Sequence, residues 1–369
     1  MMKNPFFLTT DGYGGRGGIA QYNRDLIKAV SESSKVKSVT IMQRKIFYKL
    51  GKIPNKVKLV KNTQNSKIKF FRSILGLLFK SKTYDVVFCC HIHLMPFAWI
   101  LSKKFKCPIV LTIFGEEAWN PTKHRFANYL CKKINYLITI RHYTAKKFIK
   151  WSKNKNIKYF YIPNSVDQDK FKRIRNNLKI KKKYKLKDKK IIISCGRMDV
   201  EDKNKGMDEI IEILHELSLK IKNVYYIIIG DGDDKARLEY KAKRLKVDHL
   251  ILFLGNVTEK KKIQIYSLGH VMSMTGSRQT FDRYPYRFVN LEGLASGMHV
   301  LCSKINYKSD MLDRNFKMFK QVNPNNKKEI VKKLIYLLKK KKNNYNLNSL
   351  NYINFKKKVQ HFILNVRST

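Results

Sequence analysis

In the stretch CGRMDVEDKNKG, Arg197 follows an apolar run and Lys205 stands at the entrance of an amphipathic one. A guanidinium offers a planar fork of donors and an ammonium a mobile point charge. Two such cations can converge on a diphosphate. Next along the chain, YYIIIGDGDD ends a strand-like run with Gly230 and Gly232, where missing side chains let a base or ribose come close to the backbone. In YPYRFVNLEGLASG, Glu292 falls in a helical pattern that begins at a strand end, where a carboxylate can accept two ribose hydroxyls. Cations for phosphate, a carboxylate for ribose and a glycine turn for the base together describe a nucleoside diphosphate.

The other glycine-rich segment, DGYGGRGGIAQYNRDL, spaces Gly12, Gly14 and Gly17 as G-x-G-x-x-G, with Gly15 and Gly18 beside them. A nicotinamide-binding reading needs an acidic residue at the end of the second strand. Gln43 and Arg44 stand there in VTIMQRK, and Arg44 would serve only a 2′-phosphate. A close-approach surface fits better: Gly17 and Gly18 expose backbone, and the N–H groups opening the helix Ile19 to Val30 favour an anionic or hydroxyl-rich partner. His93, in CCHIHLMP just past a strand, is a further substrate-binding candidate set against an ordinary structural histidine. H-x-H without a third ligand at metal spacing is poor evidence for zinc, and Asp231 and Asp233 read as turn residues, so no metal is expected.

Positioning these groups requires strands that end on one side. Short apolar runs at Pro5–Thr10, Ser38–Met42, Val57–Val60, Asp85–Cys90, Pro108–Ile113, Tyr136–Ile140 and Ile157–Ile162 alternate with helical patterns. The second half repeats the alternation from Lys190 to Lys340, after a break near Pro163–Lys189. Helix-length connections between strands imply parallel pairing, and two doubly wound α/β halves facing across a cleft are the expected architecture. The expected domains are 1–168, 169–345 and a C-terminal helical segment, 346–369, packing back near the first, with Phe355, Val359, Phe362 and Ile363 at helical spacing. The low-complexity run at 339–352 reads as a solvated turn.

Composition bounds the rest. Lys and Arg number 78 against 27 Asp and Glu, for a net charge of +51, which draws the surface to polyanions. The charge is spread through nearly every segment, with no zinc-finger spacing or basic helix with heptads, so no specific nucleic-acid partner is expected. The six cysteines form no C-x-x-C pair and read as buried reduced thiols. Absence of a signal-like stretch favours a cytoplasmic location. The run KIKFFRSILGLLFKSK places Phe70, Ile74, Leu77 and Leu78 on one face of a basic helix. That face can cover a sheet or lie on the anionic inner face of a plasma membrane.

In their order and spacing, GGIAQYNRDL, LTIFGEEAW, YIPNSVDQDKF, CGRMDVEDKNKG, IIIGDGDD, LFLGNV and LEGLASGMHVL resemble the retaining GT-B glycosyltransferases of family 4, over nearly the whole chain. The resemblance implies a nucleotide-sugar donor held by the C-terminal domain, a glycan or lipid-linked acceptor on the N-terminal one, and no cofactor. It gives Arg197 and Lys205 to the departing diphosphate, Glu292 to the ribose, Gly17 and Gly18 to donor phosphates or acceptor, and Glu117 to the substrate with Trp119 beside it. Two positions depart from the family. Tyr284 replaces the first glutamate of the paired motif, leaving Asp282 and Arg283 as substitutes toward the donor sugar, and Phe114 replaces a frequent histidine. A subunit that binds nucleotide sugar without turnover is the alternative these departures leave.

Overall fold

The structure, a computed structural model, describes residues 2–61, 63–79, 81–172, 178–200, 205–276, 286–304 and 317–366. The chain divides into two units, Met1–Asn164 with Tyr352–Thr369, and Ser165–Asn351. Asp282 and Tyr284, with Arg283, lie outside the described residues.

In the first unit, seven strands form one parallel sheet: β1 Pro5–Thr9, β2 Val39–Gln43, β3 Val57–Leu59, β4 Val86–Cys89, β5 Ile109–Ile113, β6 Tyr136–Thr139 and β7 Lys158–Tyr161. Their order is β3-β2-β1-β4-β5-β6-β7. β1, β4 and β5 are apolar and buried throughout because helices cover both faces. The order reverses between β1 and β4, so the crevice outside their carboxyl ends is where a sheet of this kind binds ligand.

The helices α1 Gly18–Ser31, α2 Lys67–Leu78, α3 Met95–Phe105, α4 Arg125–Leu130 and α5 His142–Ser152 connect these strands. Phe70, Ile74 and Leu77 of α2 sink into the core with Phe6, Met95 and Ala98, so the face expected to cover a sheet or meet a bilayer does the former. The opposite face is also apolar and faces solvent: Ile68 is 67% exposed, Phe71 47%, Leu75 40% and Phe79, just past the helix, 89%. No helix among the described residues is long and apolar enough to cross a membrane.

The C-terminal segment belongs to the first unit. Helix α12, Tyr352–Asn365, lies on α1: Phe355 meets Tyr22 edge to face, Gln360 Nε2 donates to Ala29 O at 3.1 Å, and Lys356 pairs with Glu32 at 2.9 Å. Phe362 is buried against Phe88 and Phe160. Burial of Phe355, Val359, Phe362 and Ile363 follows from their helical spacing.

The second unit carries β8 Lys190–Cys195, β9 Val224–Ile229, β10 Ile251–Phe253, β11 Val271–Met274, β12 His299–Ser303 and β13 Phe319–Val322, all parallel, in the order β10-β9-β8-β11-β12-β13. Its reversal lies between β8 and β11. The helices are α6 Leu178–Lys183, α7 Met207–Lys220, α8 Lys235–Arg244, α9 Glu259–Tyr266, α10 Phe288–Ala295 and α11 Lys327–Lys339. The run expected as a solvated turn is tied down instead. Leu347 and Leu350 are buried, and His299 takes the Tyr345 hydroxyl at 2.7 Å on Nδ1 while its Nε2 meets Lys341 O at 3.0 Å. Since a carbonyl only accepts, Nε2 carries the proton and Nδ1 accepts from Tyr345.

Candidate functional site

In the second unit, Arg197 follows the carboxyl end of β8 and Lys205 stands just before α7. The aliphatic stem of Lys205 lies across Gly196, where a Cβ would stand 3.1 Å from Lys205 Cδ and Cε. A side chain at 196 would have to shift that lysine stem. Arg197 itself reaches into solvent, its side chain 78% exposed, and its Nη1 pairs with Asp199 at 3.1 Å. An exposed pair of this kind is weak, which leaves the guanidinium available to a stronger anion.

Gly230 and Gly232 prove to be packing requirements as well as openings. A Cβ on Gly230 would fall 1.9 Å from Gly196 O, and one on Gly232 would fall 2.1 Å from Met198 O. Their φ angles of +134° and +157° further exclude other residues. The loops after β8 and β9 therefore interlock backbone to backbone, with Met198 N donating to Asp231 O at 3.0 Å. Asp231 and Asp233 act as turn residues: their carboxylates accept from Gly232 N at 3.0 Å and Val200 N at 2.9 Å. Gly206 opens α7 at φ +82° and abuts Thr275 and Gly276 after β11. This seats the α7 entrance, with Lys205 beside it, at the strand-order reversal.

That entrance is held by charge. Arg237 forks onto Asp208 at 2.9 and 2.6 Å and onto Asp234 at 2.5 and 2.7 Å, while Lys241 joins Asp208 to Glu212. Burial pushes the Asp208 carboxyl up, but Arg237 and Lys241 outweigh it and bring it down to about 2.

Glu292, buried on α10, is not a bare carboxylate. Lys262 of α9 places Nζ 2.8 and 3.0 Å from its two oxygens. Burial raises the Glu292 carboxyl above its ordinary value despite Lys262, and it raises the neighbouring Cys195 thiol as well. Burial presses the Lys262 ammonium down, yet Glu292 outweighs it and lifts the ammonium above its usual range. Cys195 immediately precedes Gly196, so the Lys262–Glu292 pair borders the same strand end as Arg197. Lys262 carries no signal of its own in the sequence. Its run EKKKIQIY reads as a solvated face, and only the fold sets it opposite Glu292.

In the first unit, the glycine loop after β1 is stapled from within. Arg24 Nη1 donates to Gly12 O and Gly15 O at 2.6 and 2.9 Å, Asn23 Nδ2 to Asp11 O at 2.9 Å, and the buried Gln43 to Tyr13 O at 2.6 Å. These anchors also escaped the sequence reading, since each is a polar residue in an amphipathic segment. Gly17 and Gly18 stay exposed. Gly17, at φ +94°, has open space where a Cβ would project. The helix α1 that follows has neither a side-chain cap nor an acidic residue in its first turn.

Glu117 turns its carboxylate onto its own loop, accepting from Phe114 N at 2.6 Å and Gly115 N at 2.9 Å. Burial raises its pKa against those bonds. The residue thus sets the shape of the loop after β5. Beside it, Trp119 Nε1 donates to Thr144 Oγ1 at 3.1 Å. Phe114 is buried edge to face with Tyr22. His93 lies exposed past β4, its ring between those of His91 and His124, with centroids 4.7 Å away on each side.

Residues 176–352 match the family described as glycosyl transferases group 1. Among solved structures, the chain is similar to Anabaena Alr3699/HepE in complex with UDP and glucose, with a TM-score of 0.75 at 15% identity over 99% of this chain and 100% of that one. It is similar to the lipopolysaccharide outer core galactosyltransferase WaaB, with a TM-score of 0.65 at 15% identity over 98% of this chain and 99% of that one. The sucrose-phosphate synthase of Thermosynechococcus elongatus gives 0.65 at 15% identity, over 97% of this chain and 94% of that one. A comparison with curated protein sequences gives no match. The fold is that of the GT-B glycosyltransferases, with two parallel-sheet α/β units.

Proposed function

We propose, from the premise that residues 176–352 form a glycosyl transferases group 1 domain, that this chain moves a sugar from a nucleoside-diphosphate donor to an acceptor hydroxyl. The observation that carries this reading is the packing at the carboxyl end of β8, where Gly230 meets Gly196, Gly232 meets Met198, and the stem of Lys205 lies across Gly196, next in sequence to Arg197. Two cations at one strand end suit the diphosphate that leaves. Glu292, steadied by Lys262, keeps lone pairs for ribose hydroxyls.

The reaction breaks the bond from the anomeric carbon to the diphosphate oxygen and forms one to the acceptor oxygen. Front-face attack, with the leaving phosphate oxygen taking the acceptor proton, retains configuration and needs no protein base. What the protein supplies is charge and position. Cell-surface polysaccharide or glycolipid synthesis is the proposed setting, with a glycan or lipid-linked acceptor on the first unit.

The test is a melting-point screen of the full chain against UDP, GDP and their sugars, followed by transfer assays with the best donor. A ligand at a hundred times its Kd adds about 2.7 kcal/mol to the native state, so one nucleotide series should raise Tm by several degrees. A stabilising donor that is never turned over would make the protein a binding subunit. No response to any nucleotide, with tight and salt-sensitive binding to nucleic acid, would replace the reading altogether.

The outward face of α2 supports peripheral attachment to an anionic bilayer. Ile68, Phe71, Leu75 and Phe79 form an exposed apolar row, and the exposed Lys67, Lys69 and Arg72 border it. Apolar side chains that enter the acyl boundary and cations that meet acidic headgroups act together. Phe71→Ser with Phe79→Ser is expected to weaken binding to phosphatidylglycerol-containing vesicles by at least tenfold in co-sedimentation, since each buried Phe contributes about 1.5–3 kcal/mol. Unchanged partitioning would remove α2 from the membrane contact.

A further inference from the structure

The first unit holds a cluster of cationic and imidazole side chains at its own strand-order reversal. His91 and His93 follow β4, on one side of that reversal, while the glycine loop follows β1 on the other. Arg44 follows β2, next to β1, and its backbone is fixed on both sides: Arg44 N donates to Thr9 O at 3.0 Å and Arg44 O accepts from Asn65 N at 2.7 Å. His124 comes from the loop before α4 and completes a row of three rings, the two adjacent pairs each 4.7 Å apart and edge to face.

We propose that Arg44, His91, His93 and His124 form the acceptor subsite for a phosphoryl group, so that the sugar acceptor carries a phosphate close to the hydroxyl that is glycosylated. This rests on the glycosyltransferase reading and adds to it the chemical class of the acceptor.

Three features of the cluster point to an anion. Its position outside the carboxyl ends of β1 and β4 is where an open parallel sheet takes ligand. Its rings lie edge to face along a row and do not converge on a point, and no group of three or more metal-ligand side chains among the described residues is disposed to hold an ion. Arg44 carries a permanent positive charge, and His91 and His93 can each add another on protonation. Burial lowers His91 to about 4, with His93 and Arg44 adding to the effect, and burial, His124 and Arg44 lower His93.

The facing glycine loop carries the carboxylate of Asp11. It bonds the Thr10 hydroxyl at 3.2 Å and interacts with Arg24 and Lys45, which places it in the glycine-loop staple.

His91 shows how the row is poised. Its Nδ1 accepts from His93 N at 3.2 Å, which leaves the ring proton on Nε2 as a donor. In the free protein His91 and His93 are neutral at pH 7, because burial first and the neighbouring imidazole and Arg44 second oppose their protonation. A phosphoryl group reverses that balance, so binding takes up a proton at His93, the more exposed of the two. Affinity then rises as pH falls from 8 toward 6, in the direction set by a histidine pKa that is low when empty and higher when occupied.

The test is calorimetric titration of the full chain with glucose 1-phosphate, with a farnesyl-diphosphate-linked glucose in detergent, and with methyl glucoside as the neutral control. At least one of the phosphorylated probes should bind at least tenfold more tightly than the glucoside, and Arg44→Gln and His93→Gln should each remove most of that advantage. If the free sugar phosphate binds as well as the lipid form, the acceptor is a soluble phosphate. If only the lipid form binds, the phosphoryl group is that of a lipid carrier. The diphosphate diester does not titrate near neutrality, so its tighter binding at pH 6 than at pH 8 would report the histidines and should vanish in His93→Gln.

UDP binding by the same variants separates the two levels of the argument. Intact nucleotide binding with equal affinity for charged and neutral acceptors overturns the phosphoryl subsite alone. Loss of nucleotide binding in the parent protein overturns the glycosyltransferase reading beneath it.

Discussion

Arg197→Ala is expected to fold like the parent protein and to turn over about a hundred to a thousand times more slowly. The stability half follows from exposure. The guanidinium stands mostly in solvent, and its ion pair to Asp199 is of the surface kind that contributes no more than about 1 kcal/mol. The rate half follows from where charge develops. A diphosphate gains negative charge as the glycosidic bond breaks, and removing one preorganised donor from such a site costs about 2.7–4 kcal/mol of barrier. Because the interaction strengthens in the transition state, kcat should fall with little change in nucleotide Kd. Arg197→Lys separates charge from shape: it keeps the cation, loses the fork and should recover only part of the rate. Steady-state kinetics beside a melting curve decide the matter, and a folded Arg197→Ala protein with parental kcat would remove Arg197 from the chemistry.

Much of the scaffold behind that prediction can be read in the chain. Long apolar runs such as IIISC and YYIII have few alternatives to buried parallel strands, and β8 and β9 lie there. Gly230 and Gly232 announce a close approach, though the sequence does not say that the approaching group is the backbone of residues 196 and 198. Elements without an apolar face escaped notice: α6 buries none of its side chains and is hidden in a lysine run. The tail at 339–352 shows the converse, since two leucines and one tyrosine among Asn and Lys anchor a segment whose composition suggests solvent.

The candidate site was legible where a single loop carries it and illegible where it depends on pairing across the sheet. Arg197 with Lys205 is a one-loop feature. The row His91, His93 and His124 needs β4 and the α4 loop brought together, and H-x-H alone named only part of it. Glu117 is given to the substrate by the family resemblance alone. The fold directs both its oxygens to backbone N–H groups three and two residues earlier, a local bond that no pattern of apolar residues reveals.

Lys262→Met should be the most destabilising change of a charged residue around this site, because it strands a carboxylate. Glu292 has Lys262 Nζ against both oxygens, and both groups are largely withdrawn from water. Removing one partner of such a pair costs about 3 kcal/mol. At about 2–4 °C per kcal/mol for a domain of this size, Tm should fall by roughly 10 °C at pH 7.5. The sign of the pH dependence is fixed by burial. Glu292 already titrates above its ordinary value, and without Lys262 it must rise further. A carboxyl whose folded pKa is raised is most stabilising when protonated, so the deficit is largest above the folded pKa and shrinks as pH falls through it toward the unfolded value. The melting-point gap between variant and parent should therefore narrow from pH 7.5 to pH 5, and a gap that widened would mean that Glu292 is not the stranded group. The double variant Lys262→Met with Glu292→Leu restores an uncharged interior and should regain most of the lost stability, since apolar replacement of a buried pair is often neutral. It should not regain nucleotide binding, because the ribose hydroxyls then lack their carboxylate. A double variant that is stable and binds the nucleotide like the parent would leave Lys262 and Glu292 a structural pair and move ribose recognition elsewhere in the second unit.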